Sequence, residues 1–310
     1  MLRRSRYLVV VQAVTLAAMF LLSACDAPSL GQRGSSAAAL ATSSATAKAT
    51  ETGTATSSPT AQPSATTNAA NTPKTLPANS TGTLPPGAAL PSEATCAARV
   101  QRSSWEPRPA NKAANSRVPT AAQIAAMKPW GSAMGMDPRA DALRKQITGN
   151  FTGTTDEILQ WAACKWGFSP DILRADAVVE SYWQQSQRGD YTSNQQYCPP
   201  GSWDGAGCFQ SYGLFQIKWY FFKDAFPMAQ TNSAFSAEYA YGILRACYEG
   251  WSTYLKEGTP VSGYPNYHAG DLWGCLGRWF SGWWYTQDAL QYIAKVKTTL
   301  ADKTWKSPNF

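Results

Sequence analysis

The stretch ADAVVESYWQQ, residues 175–185, decides how the chain is read. On a 3.6-residue period, Leu173, Ala177 and Glu180 share one stripe of a helix, with Ile172, Val179 and Trp183 beside it. Glu180 therefore projects among apolar side chains. Burial disfavours the charged form of a carboxyl and lifts its pKa from ~4.3 toward neutrality, where it becomes a usable general acid. For a helix taken alone, a glutamate that turns outward or pairs with an arginine is the commoner outcome. A second stretch, reached below, changes that balance.

The surrounding pattern is mostly helical. Ser169-Pro170-Asp171 opens the helix of Glu180, and Thr154-Thr155-Asp156-Glu157 forms a capping box for the one before it, which Gly167 stops. Asp137-Pro138 opens a helix running to about Ile147. Further helical patterns cover about Ser233 to Leu255, about Gly270 to Phe280, and Gln287 to about Lys303 with Thr286 as cap. Residues 187–213 are rich in Gly, Pro, Asn and Asp and read as a long loop or a small irregular hairpin. Between Ala97 and Met136 only one short helix, near Thr120 to Met127, can be placed. The fold class expected is mainly α, with irregular disulfide-bonded loops.

Upstream the composition changes. Arg3, Arg4 and Arg6 precede an apolar run from Tyr7 to Leu22 that ends Leu22-Ser23-Ala24-Cys25. This resembles the lipobox of bacterial lipoproteins, so residues 1–24 read as a lipoprotein signal peptide and Cys25 as the lipidated residue. That implies an exported chain, lipid-anchored to the outer face of the bacterial cell membrane. An ordinary signal peptide or an uncleaved anchor are the alternatives. Residues 25–95 hold Ala, Thr, Ser and Pro and no aromatic side chain, the composition of a disordered tether. All 13 tryptophans lie at Trp105 or later, and one domain is expected over 96–310.

The six cysteines beyond Cys25 suit an oxidising compartment and three disulfides. Cys198–Cys208 spans a short polar loop. Cys247–Cys275 would join the long helix to the next, leaving Cys96–Cys164, although the sequence does not force these two pairings. No CxxC occurs and His268 is the single histidine, so no metal site is expected. From Cys96 onward, 21 Lys and Arg stand against 17 Asp and Glu, with no basic run. Nucleic-acid binding would want a clustered patch.

The second stretch is QSYGLFQIKW, residues 210–219. Glu180-Ser181 followed by Tyr212-Gly213-Leu214-Phe215-Gln216-Ile217 resembles the soluble lytic transglycosylases of the lysozyme-like superfamily, over about Thr155 to Val296. The resemblance implies a lysozyme-like helical domain whose partner is peptidoglycan, cleaved between MurNAc and GlcNAc without cofactor to leave 1,6-anhydroMurNAc ends. It implies Glu180 as catalytic acid/base, with Ser181 helping to orient it. Gly213 would let the backbone approach the sugar, though an ordinary turn explains a glycine equally well, and Gln216 would bind substrate. ALQYIAKV, residues 289–296, resembles the family's last helix and brings Tyr292 to the site. The family's aromatic-Asn-Ala-Gly segment has no full match. YHAG at 267–270 and WFSG at 279–282 both lack the asparagine; Trp279 is preferred to Tyr267 as the residue facing Glu180.

No second carboxylate is compelling. Asp190, Asp204 and Asp224 lie in loop-like sequence, whereas a transglycosylase needs one acid/base, because the substrate's N-acetyl group and C6 hydroxyl complete the displacement. The rival readings are a hydrolytic lysozyme using one of those aspartates and a non-catalytic wall-binding lipoprotein. A monomer is expected.

Overall fold

The computed structural model describes residues 82–310. The signal peptide, Cys25 and most of the tether expected from sequence lie outside the described residues. Six principal helices form the frame. They are α1 (Glu93–Arg99), α2 (Thr155–Trp166), α3 (Pro170–Ser181), α4 (Ser233–Tyr248), α5 (Leu272–Ser281) and α6 (Gln287–Asp302). A small antiparallel sheet, β1 (Arg188–Thr192), β2 (Cys208–Tyr212) and β3 (Ile217–Lys218), is inserted between α3 and α4 in the order β1-β2-β3. The protein is thus mainly α, about half helical, with three disulfides.

Caps set the helix starts. Thr154 and Glu157 complete their capping box, Asp271 accepts from the Gly274 N–H, and Thr286 accepts from Ala289. Two expected spans are corrected. The helix expected from Asp137 to Ile147 is regular only over Ala140–Arg144, flanked by tighter turns such as Ala140 N–H to Asp137 C=O (2.9 Å) and Ile147 N–H to Arg144 C=O (3.1 Å). The helix expected from Ser233 to Leu255 stops at Tyr248, because Gly250 adopts φ +83° and turns the chain back, with the Trp251 N–H on Ala246 C=O.

Every residue of α4 is buried, so this helix is the axis on which α2 and α5 pack; α3 packs between α2 and α6. A helix so enclosed must satisfy its own charges. Glu238 meets Lys165 of α2 and takes the N–H groups of Thr148 (3.0 Å) and Gly149 (2.6 Å). Arg245 bonds Glu249 and the carbonyls of Leu84 (3.0 Å) and Pro85 (2.9 Å). Those last bonds move the domain edge upstream of the expected boundary at Cys96: Leu84 is buried and its N–H reaches Gly167 C=O at 2.8 Å. Disulfides join Cys96 to Cys164, Cys198 to Cys208 and Cys247 to Cys275, linking α1 to α2, spanning the β1–β2 loop, and linking α4 to α5.

Gly242 gives a test of how tightly α4 is held. A Cβ there would lie 2.9 Å from Trp166 and 3.0 Å from Trp130, two fully buried indoles. Helix propensity alone favours Gly→Ala by ~1 kcal/mol, but overpacking a core costs ~1–3 kcal/mol. Gly242→Ala should therefore lower the urea unfolding free energy despite its better helix former. A stabilised variant would mean that the two rings yield.

Candidate active site

Helix α3 begins where Ser169 caps it and Pro170 presets its first turn. It ends one residue after Glu180, without glycine. Tyr182 (φ +54°) and Trp183 (φ +62°) are both in the left-handed region, which costs a non-glycine residue on the order of 1 kcal/mol or more each. Their surroundings hold them there. The indole of the fully buried Trp183 donates to Arg174 C=O (3.0 Å), Asn111 donates to Trp183 C=O (2.7 Å), and Arg108 donates to Tyr182 C=O (2.8 Å). Buried Gln185 then ties this turn to the second motif, accepting from the Leu214 N–H (3.2 Å) and donating to Ala229 C=O (2.8 Å).

Glu180 is half-buried at the end of this helix. One turn earlier on the same face lies Asp176, which is 1% exposed. Tyr292 of α6 bridges the two: its hydroxyl oxygen lies 2.5 Å from Asp176 Oδ1 and 2.5 Å from Glu180 Oε1. A second phenol, Tyr241 of α4, donates to Asp176 Oδ2 at 2.9 Å.

Counting protons decides the charge states. Tyr292 has one proton and two carboxyls within bonding distance, so one carboxyl must itself be protonated and donate to the phenol oxygen. Water reaches Glu180 and not Asp176, which by itself favours ionised Glu180. Against that, Asp176 receives a second phenol, and a hydrogen bond to a charged group is worth about 1.5–3 kcal/mol. The balance places the negative charge on Asp176 and the proton on Glu180. Burial, then the Asp176 charge, and more weakly Asp190, push the Glu180 pKa well above its ordinary value. Burial raises Asp176 to about 6, opposed by the bonds from Tyr292 and Tyr241. Both phenols are held far on the protonated side by burial and by these carboxyls.

The remaining expected residues are placed as follows. Ser181 is buried and makes no bond to Glu180; its hydroxyl donates to Ala177 C=O (3.2 Å) and Leu214 C=O (2.9 Å), fastening the end of α3 to the Gly213–Gln216 turn. Gly213, at φ +82°, is buried, and a Cβ would strike Ala229 C=O at 2.6 Å. Packing thus accounts for this glycine, and the space beside its Cα belongs to protein. Gln216 is half-buried with its amide donating to Gly213 C=O (2.9 Å) and Gln187 C=O (3.3 Å), so it clamps the sheet to the turn. Trp279 donates to Phe215 C=O (3.1 Å) and stacks on Phe222, and its neighbour Phe280, exposed, stacks on Tyr292 at 4.8 Å. Tyr267 is instead bonded to Cys247 C=O (2.7 Å) and the Ser252 N–H (3.0 Å), and its bonds are to the core. Trp183 and Trp284 are also core; Tyr220 and Trp283 are exposed.

Sequence reasoning missed Asp176, Gln185 and Asn111. Asp176 had a signal, its i,i+4 spacing from Glu180 on a stripe already identified as buried. Gln185 stands in the decisive stretch with no pattern to single it out. Asn111 lies in the segment where no element could be placed. No family model, curated protein or solved structure matches the chain. Among the described residues, no cluster of three or more His, Cys, Asp and Glu could hold a metal ion, and no helix is long and apolar enough to cross a membrane.

The raised Asp176 pKa has a defined effect on stability. The folded protein holds this proton more tightly than the unfolded chain does. Its contribution is therefore complete below pH ~4 and is lost as the pH rises through about 6. The rise from 3.8 to about 6 is worth about 3 kcal/mol. Urea titrations at several pH values should show wild type losing ground to Asp176→Asn by about this amount between pH 4 and 8. A pH-independent difference between the two proteins would rule out the charged Asp176.

Proposed function

We propose that this protein is a peptidoglycan lytic transglycosylase with Glu180 as acid/base, tethered to the outer face of the cell membrane by a lipid on Cys25. The observation that carries the reading is the half-buried Glu180 carboxyl at the end of α3, its pKa pushed well above the ordinary range by burial, bonded to Tyr292, on which exposed Phe280 stacks. The sequence of a buried glutamate helix, a three-stranded antiparallel sheet and packing helices supports a lysozyme-like reading of the fold. Glu180 gives its proton to the glycosidic oxygen as the C1–O bond breaks. The substrate's N-acetyl oxygen holds C1, and Glu180 then takes the C6 hydroxyl proton as C6–O closes on C1. The carboxyl ends as it began, and no water is consumed.

Hydrolysis of the same bond is the second reading, and one observation favours it. Of the three aspartates weighed from sequence, Asp204 bonds the N–H groups of Ala206 (2.9 Å) and Gly207 (2.8 Å), and Asp224 accepts from the Lys128 N–H (2.9 Å). Asp190 in β1 is the one whose charge reaches Glu180, and it is pinned by Ser211 (2.5 Å) and Lys218 (3.2 Å). An ionised carboxylate there could activate water.

Incubation of the full chain with purified sacculi, followed by mass analysis of the muropeptides, separates these readings: the anhydro product is one water lighter. Glu180→Gln keeps the shape and cannot deliver the proton, so turnover should fall by at least ~10²-fold with wall binding retained. Near-full activity in that variant would place the acid elsewhere. Wild-type protein that binds sacculi and never cleaves them would make it a wall-binding lipoprotein.

A further inference from the structure

The buried half of the carboxyl–phenol–carboxyl chain has no part in the reaction as just written. Asp176 is shielded from solvent behind Tyr292, so it meets no sugar and no attacking water. A buried charge is expensive unless it is fully bonded. Here both of its oxygens are engaged by phenols from two different helices, Tyr292 of α6 and Tyr241 of α4. Such a carboxylate is built to remain, and its effect must be exerted through the phenol it shares with Glu180.

We infer that Asp176 is a positioning residue that holds the single proton of Tyr292, leaving Glu180 to carry its own and making the Glu180 carboxylate, once formed, a stronger base. The inference rests on Glu180 being the acid/base. In the first step the Glu180 O–H turns from the Tyr292 oxygen to the leaving oxygen and breaks as that oxygen gains the proton, and two anions then face one phenol proton. That arrangement favours prompt return of a proton to Glu180 from the C6 hydroxyl, as C6–O bonds to C1. Every proton that leaves Glu180 comes back to it, and Asp176 and Tyr292 exchange none with substrate.

The charged and titratable groups facing Glu180 are Asp176 on its own helix, Tyr292 from α6, Tyr241 from α4, and Asp190 from β1 with its partner Lys218. In Asp176→Asn the new amide can donate to the Tyr292 oxygen, which turns the phenol proton toward Glu180 and stabilises its charged form. Carbon-13 NMR of the glutamate carboxyls in the full chain should then show the Glu180 midpoint falling by ~1 pH unit or more. In sacculus assays the high-pH limb of kcat should move down with it. A merely structural role would lower kcat equally at every pH and leave the limb in place.

The shift should shrink when Asp176→Asn is made in a Tyr292→Phe background, leaving only the through-space effect of the lost Asp176 charge, because the rest of the coupling runs through that hydroxyl. A Glu180 midpoint that is unmoved or raised in Asp176→Asn overturns the inference. Should that variant fail to fold, Tyr241→Phe removes one donor from Asp176 alone. The lower of the two carboxyl midpoints must then rise, and an unmoved one overturns the inference equally. Failure of the acid/base reading is separate: it would show as cleavage by Glu180→Gln, whatever the NMR midpoints do.

Discussion

One phenol proton cannot satisfy two carboxylates, and the centre of this protein is arranged around that shortage. Tyr292 sits 2.5 Å from both Asp176 and Glu180, so the three groups share a fixed number of protons among more acceptor sites than they can fill as anions. Tyr241 resolves the choice by adding a second donor on the Asp176 side. The charge goes to the residue water cannot reach, and the proton stays on the residue it can. A half-exposed glutamate would ordinarily be ionised at neutral pH. Its chemistry here is imposed from the interior.

That arrangement requires three helices to meet within a fraction of an ångström. α3 supplies both carboxyls, α6 the bridging phenol and α4 the second phenol. α4 can serve because it is enclosed along its whole length and its own charges are locked to Lys165, Glu249 and the chain near Leu84. The end of α3 can serve because Asn111, Arg108 and Gln185 secure a left-handed turn that the sequence would not choose unaided. Backbone strain held in place from outside the turn is a common property of functional sites.

Most of the helical frame could be read from the sequence because its signals are local. Ser169-Pro170, the Thr154 capping box, Gly167 and Thr286 each act within one turn, and each helix begins or ends where they indicate. Glu180 was legible because a charge on an apolar stripe is a local contradiction. One span error came where two local signals compete, as at Gly250, whose left-handed turn ends α4 although the apolar period continues to Leu255. Gln216 is singled out by the resemblance of its motif, which says nothing of its partners; its amide is engaged by two backbone carbonyls. Asp176, though its spacing from Glu180 is visible in the sequence, meets Tyr292 of α6 and Tyr241 of α4 only in the packed core. No spacing along the chain encodes that contact.

The three disulfides brace α1 against α2, α4 against α5, and the β1–β2 loop against itself. None of them touches α3 or α6, the two helices between which Tyr292 spans. The covalent bracing thus surrounds the proton-bearing contact, whose geometry is left to packing and hydrogen bonds. Hydrogen bonds near 2.5 Å are steeply sensitive to separation. Exposed Phe280, which stacks directly on Tyr292, is the surface ring through which a contact on this face would reach the shared proton.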